Sequence, residues 1–178
     1  MNKRRRGRRG FSLVELVVVM VIIGIIAAIA IPRMSRAASG AGESALIGNL
    51  SVLRNAIELY ASEHNGVYPG KSTDGAGGAA ETAKAFTSQL TKSSNAAGAV
   101  VDVKDSDHLL GPYLRKGIPP APVGVNKGSG DVLIDKTNSP PVVNTAGGEG
   151  WVYNTGTGDI IVNSGDNNGA GNKAFNEY

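Results

Sequence analysis

Residues 11–31 read FSLVELVVVMVIIGIIAAIAI, 21 residues carrying a single charge, Glu15. As a helix rising about 1.5 Å per residue, such a run spans roughly 30 Å, the thickness of a bilayer's hydrocarbon core. It is too apolar to be one face of a soluble amphipathic helix, so the sequence predicts a membrane span. Immediately before it stands Arg4-Arg5-Arg6-Gly7-Arg8-Arg9. A basic run can be a nucleic-acid patch. Abutting an apolar segment, it reads instead as the flank that stays cytoplasmic and sets orientation, with the remainder exported.

That placement also disposes of the net charge. The formal value is +3, but six of the 18 basic residues lie in the first ten positions, which leaves 12 basic against 15 acidic beyond them. The body of the chain is therefore mildly acidic, and no nucleic-acid binding is expected of the folded part. The 178 residues suffice for one modest core plus one span. There is no cysteine, hence no disulfide framework and no thiolate metal site. His64 and His108 stand far apart in unrelated contexts, which argues against a histidine-based centre.

Three readings compete for the amino-terminal segment. It can be a secretory signal peptide, cut near Ala28-Ile29-Ala30 or Ser39-Gly40-Ala41. It can be a permanent anchor. It can also be a leader cut before the apolar run, so that the run is retained. Glu15 separates them. A carboxylate costs about 2.5–3.5 kcal/mol at the bilayer centre, less near an interface, and neither a signal peptide nor a plain anchor has a use for it. A subunit that pairs it with a neighbour's amino terminus does. Cleavage after Gly10 would place the new ammonium, on Phe11, one helical turn from Glu15.

Basic leader, Gly10, Phe11, then Ser-Leu-Val-Glu-Leu and an apolar run together resemble the prepilin processing signature of type IV pilins and type II secretion pseudopilins. The resemblance implies that a prepilin peptidase cuts after Gly10 and methylates Phe11, and that Glu15 governs assembly. Gly24 and Pro32 fall where the family places a helix-loosening glycine and proline. Gly24, with Ala28, also reads simply as a small-residue surface for close helix contact. Pro32, at the outer edge of the span, removes a backbone donor and invites a kink.

Beyond the span, Leu46, Leu50, Leu53, Ile57 and Tyr60 recur at steps of four, three, four and three, one apolar stripe of a helix. Asn65-Gly66 and Pro69 stop it. The pattern predicts helix over about 12–65, weakest at Ser39-Gly40-Ala41-Gly42. A short helix over 81–92 follows, with Phe86 and Leu90 inward. Proline-punctuated stretches at 111–114 and 118–123 read as extended chain wrapping the head. Strands are expected at 132–134, 151–153 and 160–162, the last two joined by the 154–159 turn. Loops are expected at 71–80 and 93–99, and no regular structure from 163 onward. Periodicity supports an amphipathic helix packed on a small antiparallel sheet with Trp151 and Tyr153 in the core, an α+β fold class; the resemblance implies the rest, a pilin-like long helix, transmembrane in its first half. The resemblance then implies these segments: a leader 1–10, a transmembrane and filament-core helix 11–31, its amphipathic continuation 32–65, and a small head 66–178.

No enzyme constellation is present: no nucleophile elbow, no HExxH, no GxxxxGK[ST]. Gly147-Gly148-Glu149-Gly150 precedes a strand rather than a helix and reads as a turn. Asp102, Asp105 and Asp107 near His108, and Asp166-Asn167-Asn168-Gly169, are the two oxygen-rich stretches that could offer calcium ligands. Major pseudopilins commonly hold calcium in a carboxy-terminal acidic loop, but one aspartate is a poor match, and solvated loops are the better reading. No cofactor is expected. The expected function is that of a pseudopilin, polymerising with other pseudopilins from the inner membrane into a periplasmic filament that supports protein export. Gly111-Pro112-Tyr113-Leu114 resembles a phrase of major pseudopilins, and the lack of cysteine leans the same way. The alternatives are a type IV pilus subunit and an anchored periplasmic binding module that never polymerises.

Overall fold

The computed structural model describes residues 11–167 and 173–178. The chain divides into two units, 1–38 and 39–178. Helix α1 (Leu13–Glu63, 51 residues) passes from the first into the second. The expected stripe is the buried one: Leu46, Leu50, Leu53, Ile57 and Tyr60 all lie within the core. Helix is continuous through Gly40-Ala41-Gly42, where the sequence looked weakest. Gly42 is glycine for a packing reason: a Cβ there would stand 3.0 Å from Cγ1 of Val123. The helix ends as the sequence signals. Asn65 and Gly66 turn left-handed, at φ 56 and 79°, and the amide of Gly66 returns to the carbonyl of Ala61 at 2.8 Å.

Helix α2 (Ala83–Thr91) starts where the Thr82 hydroxyl accepts from the amide of Ala85 at 3.3 Å. It buries Phe86 and Leu90, one turn apart, against the core cluster. The segment read as loop at 93–99 holds a two-residue ladder instead. Strand β1 (Ser93–Ser94) pairs antiparallel with β2 (Val100–Val101). Two serines offer no strand signal in sequence; the pairing is imposed from outside. Asn95 Oδ1 accepts the amides of Ala97 and Ala99 to close the turn, and Gln89 Nε2 donates to the carbonyl of Gly98 at 2.9 Å.

The main sheet has the order β3–β4–β5, with β3 at Val132–Ile134, β4 at Trp151–Tyr153 and β5 at Ile160–Val162. The β4–β5 hairpin is antiparallel as expected, through a turn in which Asn154 Oδ1 accepts the amides of Gly156 and Thr157. Strand β3 adds to it in parallel, which makes the sheet mixed. A parallel neighbour needs a long return, here the 135–150 stretch. That stretch crosses from the β3 edge to β5: Ser139 Oγ donates to Asp159 at 3.0 Å, and Asn144 N to Asn163 Oδ1 at 2.8 Å. Trp151, Tyr153, Ile160 and Val162 point toward α1. Val152 and Ile161, on the opposite face by strand alternation, are buried too.

The tail differs from the sequence reading. Phe175 opens a short 3₁₀ turn (Phe175–Glu177) and is buried in the core. Arg54 holds the segment through the carbonyls of Ile160 and Tyr178, and the Tyr178 hydroxyl donates to Glu43. A lone phenylalanine among glycines and asparagines has no periodicity to reveal it.

The two faces of α1 in unit 39–178 make a stability contrast. Leu53 is 0% exposed and Ile47 is 51% exposed, six residues apart on one helix. Leu53→Ala should cost about 2–5 kcal/mol, the range for a core leucine that leaves a cavity. Ile47→Ala should stay within about 0.5 kcal/mol. Denaturant unfolding of the two variants in detergent checks this; equal effects would put the core on the wrong face.

Candidate functional site

Helix α1 begins where the carbonyl of Ser12 accepts from the amide of Leu16 at 3.2 Å. Glu15 sits in this first turn, where the unpaired amides favour a carboxylate by about 0.3–1 kcal/mol at an exposed position. That offset is too small to cancel the cost of carrying the charge into lipid. Among the described residues, the Glu15 side chain has no hydrogen-bond or ion-pair partner.

Around Glu15 the helix is apolar on every side and covered on none. Phe11 is 80% exposed, and thirteen further large apolar side chains between Leu13 and Ile29 are exposed with it. The 18 residues Leu13–Ala30 form the one helical stretch, among the described residues, long and apolar enough to cross a membrane. Moving each such side chain out of water is worth about 1.5–3 kcal/mol, so the run gains tens of kcal/mol, roughly ten times the cost of Glu15. The segment therefore goes into an apolar phase, and the charge goes with it.

Gly10 lies outside the described residues, as does the whole basic leader 1–10. Gly24 is exposed, and a Cβ there would meet nothing within 4 Å. Among the described residues nothing requires a glycine at this position. Pro32 lies inside α1, which continues through it. Its ring nitrogen cannot donate to the carbonyl four residues back, that of Ala28.

The remaining candidates are spent on local structure. His64 is buried, stacked on Tyr60 with ring centroids 3.7 Å apart, its Nδ1 against the carbonyl of Tyr60 and Nε2 against Ser94 Oγ. His108 pairs with Asp105 at 2.7 Å, and Asp102 with Lys92 at 2.8 Å. Asp166 accepts from Ser164 Oγ at 3.1 Å; Asn168 and Gly169 of that candidate set lie outside the described residues. Among the described residues no three histidine or carboxylate side chains converge as metal ligands. Gly147 closes a short 3₁₀ turn (Thr145–Gly147) ahead of β4, a turn as its sequence suggested.

Two aspartates escaped sequence reading. Asp74 is buried and its Oδ1 accepts the amides of Ala76 and Gly78 at 2.8 and 2.7 Å. Burial acts to raise its pKa, yet these amides, Ser88 and the Lys84 charge hold it below the usual carboxylate range. Asp135 ties the 135–142 loop: its carboxylate accepts from the amides of Thr137, Asn138 and Val142 and from the Asn138 side chain. Desolvation opposes ionisation there too, and the donors outweigh it, so its pKa lies far below normal. The cue in sequence, an aspartate two residues before a turn amide, is too common to single out.

Comparison with known families places one feature. Residues 5–31 match the family model of the prokaryotic N-terminal methylation motif. The match spans Gly10, Phe11, Glu15 and the apolar run. The match marks the amino-terminal segment as similar to a prepilin-type processing motif, and with the apolar helix Leu13–Ala30 it fits a single-pass membrane anchor. No curated protein and no solved structure matches the chain.

The Asp135 loop gives a pH test. Its folded pKa lies below the unfolded one, so its stabilisation is present above the unfolded value, about 3.9, and is lost as pH falls toward the folded value. Asp135→Ala should cost about 0.5–1.5 kcal/mol at pH 7, from the exposed hydrogen bonds it removes, and the gap to wild type should narrow below about pH 4. Unfolding curves from pH 7 to 3 check this; a gap independent of pH would refute the assignment.

Proposed function

We propose that this chain is a pseudopilin: a precursor cut after Gly10, methylated on Phe11, and polymerised through residues 11–31 into a periplasmic filament that supports export across the outer membrane. The observation that carries the reading is Glu15, a lone carboxylate in the first turn of a stretch, Leu13–Ala30, that is otherwise uncharged and uncovered. A neighbour's Phe11 ammonium at about 4 Å, in a medium of effective dielectric about 20, is worth on the order of 4 kcal/mol. That is enough to offset the ~2.5–3.5 kcal/mol the charge costs in lipid. An anchor that never polymerises has no such partner to supply.

Removal of residues 1–10 takes away six positive charges and leaves one at the helix start. Segment 11–31 is then the filament core, 32–65 its amphipathic continuation, and 66–178 the head. Gly24, where a Cβ would meet nothing within 4 Å among the described residues, lets a neighbouring helix approach closely. Pro32 loosens the helix where it leaves the core. The basic leader puts the amino end in the cytoplasm and the head in the periplasm of the bacterial inner membrane. Prepilin peptidase and other pseudopilins are the partners. No cofactor takes part, and calcium at the acidic loops is not part of the reading.

A type IV pilus subunit is the second reading, since the amino-terminal motif is common to both. The phrase Gly111-Pro112-Tyr113-Leu114 favours the first. The amides of Tyr113 and Leu114 both return to the carbonyl of Leu90, at 3.0 and 2.8 Å, and the Tyr113 ring meets Tyr60 edge-on.

Mass spectrometry of the amino-terminal peptide from native membranes, with and without an active prepilin peptidase, tests this. The expected peptide begins at methylated Phe11 and appears only with the peptidase. A terminus at Met1, or after Ala30 or Ala41, overturns it. Glu15→Ala should leave that processing intact and abolish filaments seen by electron microscopy, whereas an anchored module would be unaffected.

A further inference from the structure

Two exposed features of the 39–178 unit are left uncovered by the described residues. The first is the 102–109 loop. It presents Val103, 80% exposed, and Leu109, 60% exposed. The loop is nonetheless held: Asp102 pairs with Lys92, Lys104 Nζ donates to the carbonyl of Leu109 at 2.5 Å, and Asp105 Oδ1 accepts the amides of Asp107 and His108. Two apolar side chains fixed outward on a tied loop form a ready-made knob, because little ordering entropy remains to be lost on contact. Asp107 beside them has no cationic partner among the described residues.

The second feature is a groove of about 450 Å³ whose apolar wall is Val52 of α1 with Leu114, Ile118, Pro119 and Pro120. This wall is also fixed. Trp151 Nε1 donates to the carbonyl of Pro119 at 2.8 Å, and Asn49 Nδ2 to that of Pro120 at 3.1 Å. Arg115 and Lys116 rim it, exposed and with no carboxylate partner among the described residues. An apolar knob beside an unpaired anion, and an apolar groove beside two unpaired cations, are complementary in both shape and sign. They are different patches of one chain; exchanged reciprocally they would close a pair, and used head-to-tail they repeat into rings or, where the rotation does not close, into open helical assemblies, the case a filament requires.

We propose that in the assembled filament the 102–109 loop of one copy seats Val103 and Leu109 in the Val52–Ile118–Pro120 groove of the next, with Asp107 facing Arg115 and Lys116. This rests on the filament reading above: the amino-terminal helices supply the polymer and this contact sets how successive heads meet.

The chain has no cysteine, so an introduced pair reports without background. In the full-length chain, processed and assembled in cells, Val103→Cys with Ile118→Cys should give under mild oxidation a ladder of dimers, trimers and higher species. Either single substitution should give no ladder, and Glu15→Ala should remove it. Filaments that form without cross-links, or with dimers alone, overturn the contact and leave the filament reading standing. Should the cysteine pair itself block assembly, charge reversal decides. Asp107→Lys should lower filament yield several-fold, Arg115→Asp likewise, and the double variant should recover most of it; filament yield unchanged in the singles, or no recovery in the double, refutes the pairing. If the unaltered chain forms no Glu15-dependent filament, both readings fall together.

Discussion

Three strands of three residues each cannot hold a sheet together in water; this one holds because Trp151, Tyr153, Ile160 and Val162 close over the Leu46–Tyr60 stripe of α1. The stripe is the surface on which the head is assembled. Helix α2 brings Phe86 and Leu90 to it, with Phe86 tilted against Tyr153 at a centroid distance of 4.2 Å. The tail contributes Phe175. Take the stripe away and each of these elements has an apolar face and nothing to put it on.

A chain with 25 glycines and nine aromatic residues has limited apolar area for such a core. Much of the rest is organised by polar side chains that close turns. Asp74, Asn95, Asp135 and Asn154 each accept two or more backbone amides. Gln89 joins Gly70 and Gly98 across the α2 side, and Asn163 ties the return from β3 to the hairpin. Glycine is demanded at a few of these places. At Gly158, φ is +77° and a Cβ would lie 2.4 Å from the Tyr68 ring, so no other residue lets the hairpin turn pass that close.

The same helix whose stripe the head covers from Leu46 to Tyr60 is uncovered before Ala30. One element thus presents a satisfied surface and an unsatisfied one. The satisfied half explains the fold. The unsatisfied half, with Glu15 in its first turn and a methylation motif across residues 5–31, bears on function. Apolar side chains this exposed, with no partner among the described residues, take lipid or neighbouring helices, and in the proposed filament the second would give the carboxylate a counter-charge.

Much of this was legible in the residues alone. The span, the place of Glu15 after Gly10 and Phe11, the 46–60 stripe and the limits of three strands follow from local rules: an apolar run of bilayer length, a period of 3.6, a β-rich triplet bounded by turn residues. The stop at Asn65-Gly66 is equally local. What only the tertiary structure decided depends on partners distant in sequence. Val132–Ile134 runs parallel to Trp151–Tyr153 because of a crossing that no triplet encodes. Ser93 and Ser94 are strand because Val100 and Val101 lie alongside. Gly42 is packing rather than weakness because Val123 arrives there. Phe175 is core because Arg54 and Glu43 hold the tail across α1. Periodicity and turn chemistry are properties of a few neighbouring residues, and a sequence displays them directly. Which surface a given segment meets is set by the free energy of the whole packed chain, and only the folded molecule displays that.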